Sequence, residues 1–245
     1  MKKLSKKLIQ SLTADRVILF FAAAFLVLFA VAELQTLFHL RFDKLAAVWR
    51  LIFLLLICLL FVIGGHLFAK RTENPAVFKR LMCLFFFLYL YFLANVTLLD
   101  PSLGRGSAIY GMGDEHRTYY LKWFVNLTPM RSIREVYIEG FLNGRVSIYY
   151  TVLNLLGNVC AFMPFALFLP LYFQKQKRWF IFLPTVLVCT LSVEALQFAF
   201  MVGSCDIDDV ILNISGAFLA FWFLKIPPIN RLVCKLTGME TFASI

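Results

Sequence analysis

Two acidic residues lie within or next to long apolar runs, where charged side chains are unexpected. Glu194 lies in SVEALQ, inside the apolar run Trp179–Met201, and Asp209 lies in CDIDDVILN, just before the next apolar run. An ionised side chain in the middle of a membrane helix costs about 2.5–3.5 kcal/mol, so it needs a partner, a water-filled cavity or a function. Two carboxylates in one low-dielectric site repel each other and suit general acid–base chemistry. Glu194 and Asp209 are therefore the candidate catalytic pair.

Amide side chains recur at helical spacing around these carboxylates. Gln197 follows Glu194 by three residues and Asn213 follows Asp209 by four, so each pair shares one helix face. Asn158 lies in the apolar run Tyr149–Phe173. When successive helices alternate in direction, Asn158 lies at the same depth in the membrane as these two pairs. This convergence predicts a polar pocket that opens to the outside of the membrane. The alternative is that these groups only hold the helices together, at about 0.6 kcal/mol for each hydrogen bond.

The acidic run before the last apolar segment has two further aspartates. Asp206 or Asp208 can cap the helix that follows, because a carboxylate satisfies the free N–H groups of a helix start and its dipole. Together with a nearby Asn, the aspartates could instead hold a hard divalent cation, but no spacing is diagnostic. The six cysteines show no zinc spacing either. The sequence predicts Asp206 and Asp208 as ligand-binding residues, and it predicts no metal site.

A polar motif, NLTPMRSI, lies in the long loop that precedes these segments. Asn126 opens the motif, and Arg131 and Arg134 follow. An arginine here could pair with the pocket carboxylates or bind a lipid phosphate. The alternative is an arginine that only contacts lipid headgroups. Asn126 and Arg131 are predicted as ligand-binding residues, together with Asn158, Gln197 and Asn213.

The composition indicates which elements must position these residues. Of the 245 residues, 61% are hydrophobic and only 16% are charged. These values exclude a disordered chain, a soluble enzyme and a secreted disulfide scaffold. Six apolar runs predict an all-α, polytopic transmembrane helical bundle of about six spans. The runs are Val17–Phe38, Ala46–Ala69, Phe78–Leu99, Tyr149–Phe173, Trp179–Met201 and Val210–Leu224.

The distribution of charge predicts the orientation of this bundle. The net charge is +10, and Lys and Arg concentrate in segments 1–16, 70–80, 174–178 and 225–245. Basic loops stay in the cytoplasm, so both termini are predicted to be cytoplasmic and the loop 100–148 external. The positive charge is explained by topology, and nucleic acid is therefore not an expected partner.

Four ordered motifs, NLTPMRSI, NLLGNVCAFMPFALFLPL, SVEALQFAF and CDIDDVILNISGAFLAF, resemble the VanZ-like family of bacterial membrane proteins. The resemblance implies a family domain at 76–226, with four helices and the external loop. It leaves two N-terminal helices at 1–75 outside this domain, followed at the other end by a cytoplasmic tail at 227–245. It also implies a multi-pass protein of the cytoplasmic membrane. The family's namesake confers low-level resistance to the glycopeptide teicoplanin without rebuilding the peptidoglycan precursor.

Three functions compete at this point. The first is a resistance factor in a Gram-positive cell envelope, whose pocket at the outer leaflet engages the drug or a lipid-linked cell-wall precursor. The second is a membrane enzyme that modifies an envelope lipid or polymer with Glu194 and Asp209 as acid and base. The third is a transporter, which is disfavoured because the polar groups cluster on one side of the membrane. The lipid bilayer is the expected partner in each case, and the sequence assigns neither a cofactor nor an oligomeric state.

Overall fold

The computed structural model describes residues 75–99, 114–145 and 147–237, and these are mostly helical. The first two predicted helices lie outside the described residues. The α-helices are α1 (Pro75–Ala94), α2 (Asp114–Trp123), α3 (Gly140–Leu142), α4 (Ile148–Ala161), α5 (Phe165–Tyr172), α6 (Trp179–Phe200), α7 (Ile207–Lys225) and α8 (Pro227–Thr237). Shorter elements are two π-helices (Asn95–Leu99 and Ser132–Glu139), a 3₁₀ turn (Gln174–Lys177) and the strands β1 (Val125–Asn126) and β2 (Cys205–Asp206).

Three helical segments in the described part are long and apolar enough to cross a membrane. They are Asn154–Tyr172, Trp179–Phe200 and Ile207–Lys225. At 1.5 Å per residue each measures about 30 Å, which is the thickness of a hydrocarbon core. These segments agree with the last three predicted apolar runs. The third predicted run contains a shorter apolar helical stretch, Met82–Leu98.

The fourth predicted run is interrupted by a turn. Helix α4 ends at Ala161 and α5 begins at Phe165, with Pro164 between them. The turn keeps its backbone donors satisfied, because the N–H of Phe165 donates to the carbonyl of Phe162 at 3.2 Å. Proline ends a helix by removing an N–H donor and by clashing with the preceding turn, which explains the break.

Helix α7 packs against three other helices of the described part of the chain. Helix α7 contacts α4, α5 and α6. Phe221 of α7 stacks on Phe182 of α6 with ring centroids 4.7 Å apart, and both side chains are fully buried. Gly216 lies so close to α4 that a Cβ at this position would overlap the carbonyl oxygen of Val159. Small residues allow such close approach of helices in membranes.

The structure refines several predicted boundaries. Helix α7 starts at Ile207 rather than at Val210, so that Asp208 and Asp209 form its first turn. In the loop, α2 ends at Trp123 and is followed by β1, and the segment after Pro129 forms the π-helix Ser132–Glu139 and α3. The two strands are an addition to the all-α prediction.

The described residues divide into two compact units. Residues 90–235 belong to one unit, and residues 75–89 and 236–237 belong to the other. Every candidate site residue lies in the first of these units. The domain boundaries at 75/76 and 226/227 stay a prediction.

Candidate functional site

A short parallel bridge joins the loop motif to the start of α7. Val125 pairs with Cys205 and Asn126 pairs with Asp206. The N–H of Cys205 donates to the carbonyl of Phe124 at 2.9 Å and extends this contact. The bridge therefore holds NLTPMRSI against CDIDD, two segments that are about 80 residues apart in the chain.

Asp206 is the centre of this junction. Its Oδ1 accepts hydrogen bonds of 2.9 Å from the backbone N–H of Asp208 and from Nδ2 of Asn126. Its Oδ2 accepts a hydrogen bond from the hydroxyl of Ser132. Asp206 thereby caps α7, as one of the sequence alternatives proposed, and at the same time anchors the loop.

Asp208 is fully buried and binds the loop backbone. Its Oδ1 accepts a hydrogen bond from the N–H of Met130, and its Oδ2 accepts one from the N–H of Ile133 at 3.1 Å. Ile133 belongs to the first turn of the π-helix, where N–H groups lack partners within the helix. Met130 has a left-handed backbone with a φ of 65°, a conformation that costs free energy in a non-glycine residue. The contacts with Asp208 help to hold this conformation.

Helix α6 supplies two polar side chains to the same end of the molecule. Glu194 is buried, and its Oε2 accepts a hydrogen bond of 2.8 Å from the N–H of Asp206. Gln197 donates from Nε2 to the carbonyl of Thr97 at 3.0 Å. The backbone carbonyl of Gln197 accepts a hydrogen bond of 3.2 Å from the hydroxyl of Tyr120. Gln197 therefore connects α6 to both α2 and the first π-helix.

Helices α4 and α7 supply the remaining predicted residues. Asn158 of α4 donates from Nδ2 to Oδ1 of Asp209 on α7. Asn213 lies one turn further along α7 and is buried. The structure thus brings two of the predicted residues, Asn158 and Asp209, into direct contact.

The carboxylates produce a negative electrostatic environment around Cys205. Burial of this thiol is the largest effect, and the charges of Glu194, Asp206 and Asp209 add to it. Together they raise the pKa of Cys205 to about 11. All these effects disfavour the thiolate, because a low dielectric and nearby negative charges both penalise an anion. The carboxylates of α6, β2 and α7 therefore share one region.

The loop arginines lie elsewhere, contrary to the pairing with the pocket carboxylates that the sequence suggested. Arg131 pairs with Glu135 at 3.1 Å, and Arg134 pairs with Glu139 at 3.0 Å. Both ion pairs are exposed. Helical spacing explains the first pair, because residues four apart meet on one helix face. Arg134 and Glu139 are five residues apart, which is the hydrogen-bond spacing of the π-helix in which both lie.

The donor set around the aspartates differs from that of a cation site. Within residues 75–99, 114–145 and 147–237, no three His, Cys, Asp or Glu side chains converge in a way that could hold a metal ion. The oxygens of Asp206 and Asp208 accept hydrogen bonds from N–H and O–H groups of the protein instead.

Comparison with known protein families shows to which family this chain belongs. The family model for VanZ/LLP1 matches residues 81–228, which is more than half of the chain. The chain belongs to the VanZ/LLP1 family. This match confirms the resemblance inferred from the four motifs, and its range contains every candidate site residue.

One curated VanZ relative is similar in sequence over a shorter segment. Protein VanZ of Enterococcus faecium is 43% identical over 69 residues, which is 27% of this chain and 40% of that protein. The chain therefore matches less than half the length of this relative. No solved structure matches the chain.

Three site residues of this VanZ/LLP1 protein were missed by sequence reasoning. Ser132 lies within NLTPMRSI, but a lone serine next to two arginines gave no signal of its own. Thr97 contributes its backbone carbonyl, which no side-chain pattern can reveal. Tyr120 lies in a part of the loop with several aromatic residues, and its hydroxyl reaches the backbone of α6.

Proposed function

We propose that this VanZ/LLP1 protein contributes to glycopeptide tolerance, with teicoplanin as the expected drug. In this proposal a polar cluster at the outer leaflet engages the drug or a lipid-linked envelope component. The cluster consists of Glu194, Gln197, Asn158, Asp209 and Asn213. The observation that carries the proposal is that α4, α6 and α7 bring these side chains to one end of the spanning helices, where a docked loop covers the start of α7.

The opposite end of the helices supports an external location for the cluster. The segments at that end, 173–178 and 224–237, contain six basic residues and no Asp or Glu. The basic residues are Lys175, Lys177, Arg178, Lys225, Arg231 and Lys235. Positive loops remain in the cytoplasm, so the cluster faces outward. The proposal includes six spans, cytoplasmic termini and a family domain at 76–226 within the bacterial cytoplasmic membrane.

A binding role fits the described contacts better than a metal-assisted reaction. Asp206 and Asp208 serve to dock the loop, which leaves Glu194 and Asp209 as the charged members of the cluster. A loop fixed by partly buried hydrogen bonds gives a preformed surface, and preformed sites reduce the entropic cost of binding.

Drug susceptibility in a sensitive Gram-positive host tests this proposal. The host expresses wild type, Glu194→Gln, Asp209→Asn or the matched control Glu135→Gln, at equal membrane abundance. We expect wild type and Glu135→Gln to raise the inhibitory concentration of teicoplanin equally, because Glu135 is exposed and lies outside the cluster. Glu194→Gln and Asp209→Asn should each retain only part of the protection.

The outcomes separate the competing functions. Complete loss in Glu194→Gln alone, with the folded protein still abundant, indicates an acid–base role and favours the enzyme. Full protection by both carboxylate variants shows that the cluster only holds the helices together. Absence of protection by wild type contradicts the proposed function.

A further inference from the structure

Helix α8 follows the spanning segment Ile207–Lys225 after a single residue. Ile226 lies between the end of α7 and Pro227, the first residue of α8, and its backbone is extended with a φ of −58° and a ψ of 126°. A residue before proline avoids the helical region, so Pro227 favours this break. Proline also suits a helix start, where its missing N–H would have no helical partner. Helix α8 is therefore a separate helix that begins where the spanning segment ends.

The sequence of α8 is amphipathic. Its 11 residues, PPINRLVCKLT, are about 16 Å long at 1.5 Å per residue, which is about half a hydrocarbon core. Ile229, Leu232 and Val233 lie on one side at helical spacing. Arg231 and Lys235 are four residues apart and share another side. Such a helix is too short and too polar to cross a membrane, and it suits the boundary between headgroups and acyl chains.

The exposed side of α8 presents basic and apolar residues together. Arg231 and Lys235 are exposed, and Leu232 is 56% exposed. Asn230 is buried, so the opposite side of the helix faces the protein. A helix at a bilayer surface has this distribution, because its apolar side chains enter the acyl region while its long basic side chains reach the headgroups.

The turn between α5 and α6 lies at the same end of the spanning helices. Phe182 of α6 stacks on Phe221 of α7 with ring centroids 4.7 Å apart. Arg178 precedes Phe182 by four residues and Lys225 follows Phe221 by four, so each lies about one helical turn from the stacked rings. The Nζ of Lys225 is 4.8 Å from the centroid of Phe221. The segment 173–178 and the start of α8 therefore meet at one end of α6 and α7.

The charge at this end is positive and has no counter-charge nearby in the sequence. The segments 173–178 and 224–237 contain no Asp or Glu. The accessible basic side chains, called here the basic surface, are Lys175, Arg178, Lys225, Arg231 and Lys235. Among the described residues, no ion pair involves any of these five side chains. Their charge is therefore available to an anion outside the chain.

We propose that α8 lies along the membrane surface and that the basic surface binds the headgroups of anionic phospholipids. A negatively charged headgroup supplies the missing counter-charge, and each Lys or Arg near an anionic bilayer surface strengthens the attraction. Trp222 and Phe223 are exposed at the same end, and aromatic side chains are enriched at the boundary between membrane and water. The basic surface lies at the opposite end of the helices from the polar cluster, so this inference does not rest on the proposed drug tolerance.

Trp222 can report which lipid contacts this surface. Its ring centroid is 5.2 Å from Nζ of Lys225, and the residue is 46% exposed. The full chain, with Trp222 as its only tryptophan, is placed in nanodiscs of equal parts phosphatidylcholine and phosphatidylglycerol, and each lipid is brominated in turn. Bromine quenches tryptophan by contact, so the two degrees of quenching give the relative affinity of the lipids. We expect phosphatidylglycerol to be preferred about fivefold, because one basic side chain at a membrane surface contributes about this factor.

A pair of double variants connects this preference to α8. Arg231→Gln/Lys235→Gln should reduce the preference at Trp222 from about fivefold to about twofold or less. The matched control is Arg117→Gln/Lys122→Gln, which removes the same charge from two exposed residues of α2. Helix α2 contacts the far end of α6 through Tyr120, so this control should keep the wild-type preference.

A second reporter tests the position of α8 itself. Leu232→Trp, as the only tryptophan of the chain, should be quenched by brominated lipid and protected from iodide in the water. The reason is that an apolar side chain on the exposed side of a surface helix enters the acyl region.

Three results would overturn the inference. The first is equal affinity for the two lipids at Trp222, and the second is a preference that survives Arg231→Gln/Lys235→Gln or is lost equally in the α2 control. The third is quenching of Leu232→Trp by iodide and not by brominated lipid. That result would place α8 in water, where the basic surface would instead suit an acidic protein or a nucleic acid.

Discussion

Asn126 donates a hydrogen bond of 2.9 Å to the carboxylate of Asp206, which is 80 residues later in the chain. The backbone N–H of Asp206 in turn donates to Glu194 of α6. Two hydrogen bonds therefore connect the loop motif to the buried carboxylate of α6. Because Asp206 also caps α7, a change in the loop alters both the start of this helix and the surroundings of Glu194.

Replacement of Asp208 by Asn should release one end of the docked loop. The carboxylate of Asp208 uses one oxygen for the N–H of Met130 and the other for the N–H of Ile133. An Asn side chain has a single acceptor oxygen, so one of these N–H groups loses its partner at a cost of about 1–3 kcal/mol. We expect a lower melting temperature in detergent and faster tryptic cleavage in the loop.

The control for this change is Glu135→Gln, which breaks the exposed ion pair with Arg131. Exposed pairs contribute between about 0 and 1 kcal/mol, so stability and cleavage should stay close to wild type. Equal melting temperatures for Asp208→Asn and wild type would show that the loop is held by other contacts.

Two glycines offer a matched test of helix packing. Gly216 of α7 faces the carbonyl of Val159, whereas no described atom lies within 4 Å of a Cβ at Gly157 of α4. Gly216→Ala must push α7 away from α4, and overpacking of this kind costs about 1–3 kcal/mol. Gly157→Ala should be neutral or stabilise the helix by up to about 1 kcal/mol. Thermal unfolding in detergent measures both, and similar values for the two variants would contradict the close contact.

Much of this architecture follows from local patterns in the sequence. The long apolar runs identify the three described segments that are long and apolar enough to cross a membrane, since few residues other than apolar ones tolerate a bilayer. The acidic run before α7 indicates a capped helix start, and Asp206 is the cap. The spacings of three and four residues between carboxylates and amides place each pair on one helix face. In the structure Asp209 of α7 also contacts Asn158 of α4.

The docking of the loop is not a local property and could not be predicted. Nothing in NLTPMRSI indicates that its backbone N–H groups of Met130 and Ile133 meet Asp208, because backbone donors are common to every residue. The sequence suggested the pocket carboxylates or a lipid phosphate as partners of Arg131, whereas in the structure it contacts Glu135, four residues later. The side-chain oxygens of Gln197 and Asn213, which have no hydrogen-bond partner among the described residues, likewise emerge only from packing.

Glu194 should tolerate an isosteric change much better than an apolar one. Its Oε2 accepts the N–H of Asp206, and the amide oxygen of Glu194→Gln can take over this contact. Glu194→Leu leaves the N–H without an acceptor, which costs about 1–3 kcal/mol. We expect Glu194→Gln to reach wild-type abundance in membranes and Glu194→Leu to be less abundant and to melt earlier. Equal loss of abundance in both variants would show that the charge itself stabilises the fold.

The thiol of Cys205 should react slowly with alkylating reagents, and its reactivity should depend on the nearby carboxylates. Its pKa is raised from 9.0 to about 11 by burial and by the charges of Glu194, Asp206 and Asp209. At pH 8 the thiolate is therefore about 100-fold less abundant than it would be at a pKa of 9.0. A thiolate of higher pKa is more nucleophilic, which raises the rate about tenfold and leaves a net rate about tenfold lower. In a protein with Cys205 as the sole cysteine, we expect alkylation by iodoacetamide about tenfold slower than after denaturation. The rate should keep rising beyond pH 9, and Asp209→Asn should increase it at pH 8. A rate that levels off at pH 9 would contradict the negative environment of the cluster.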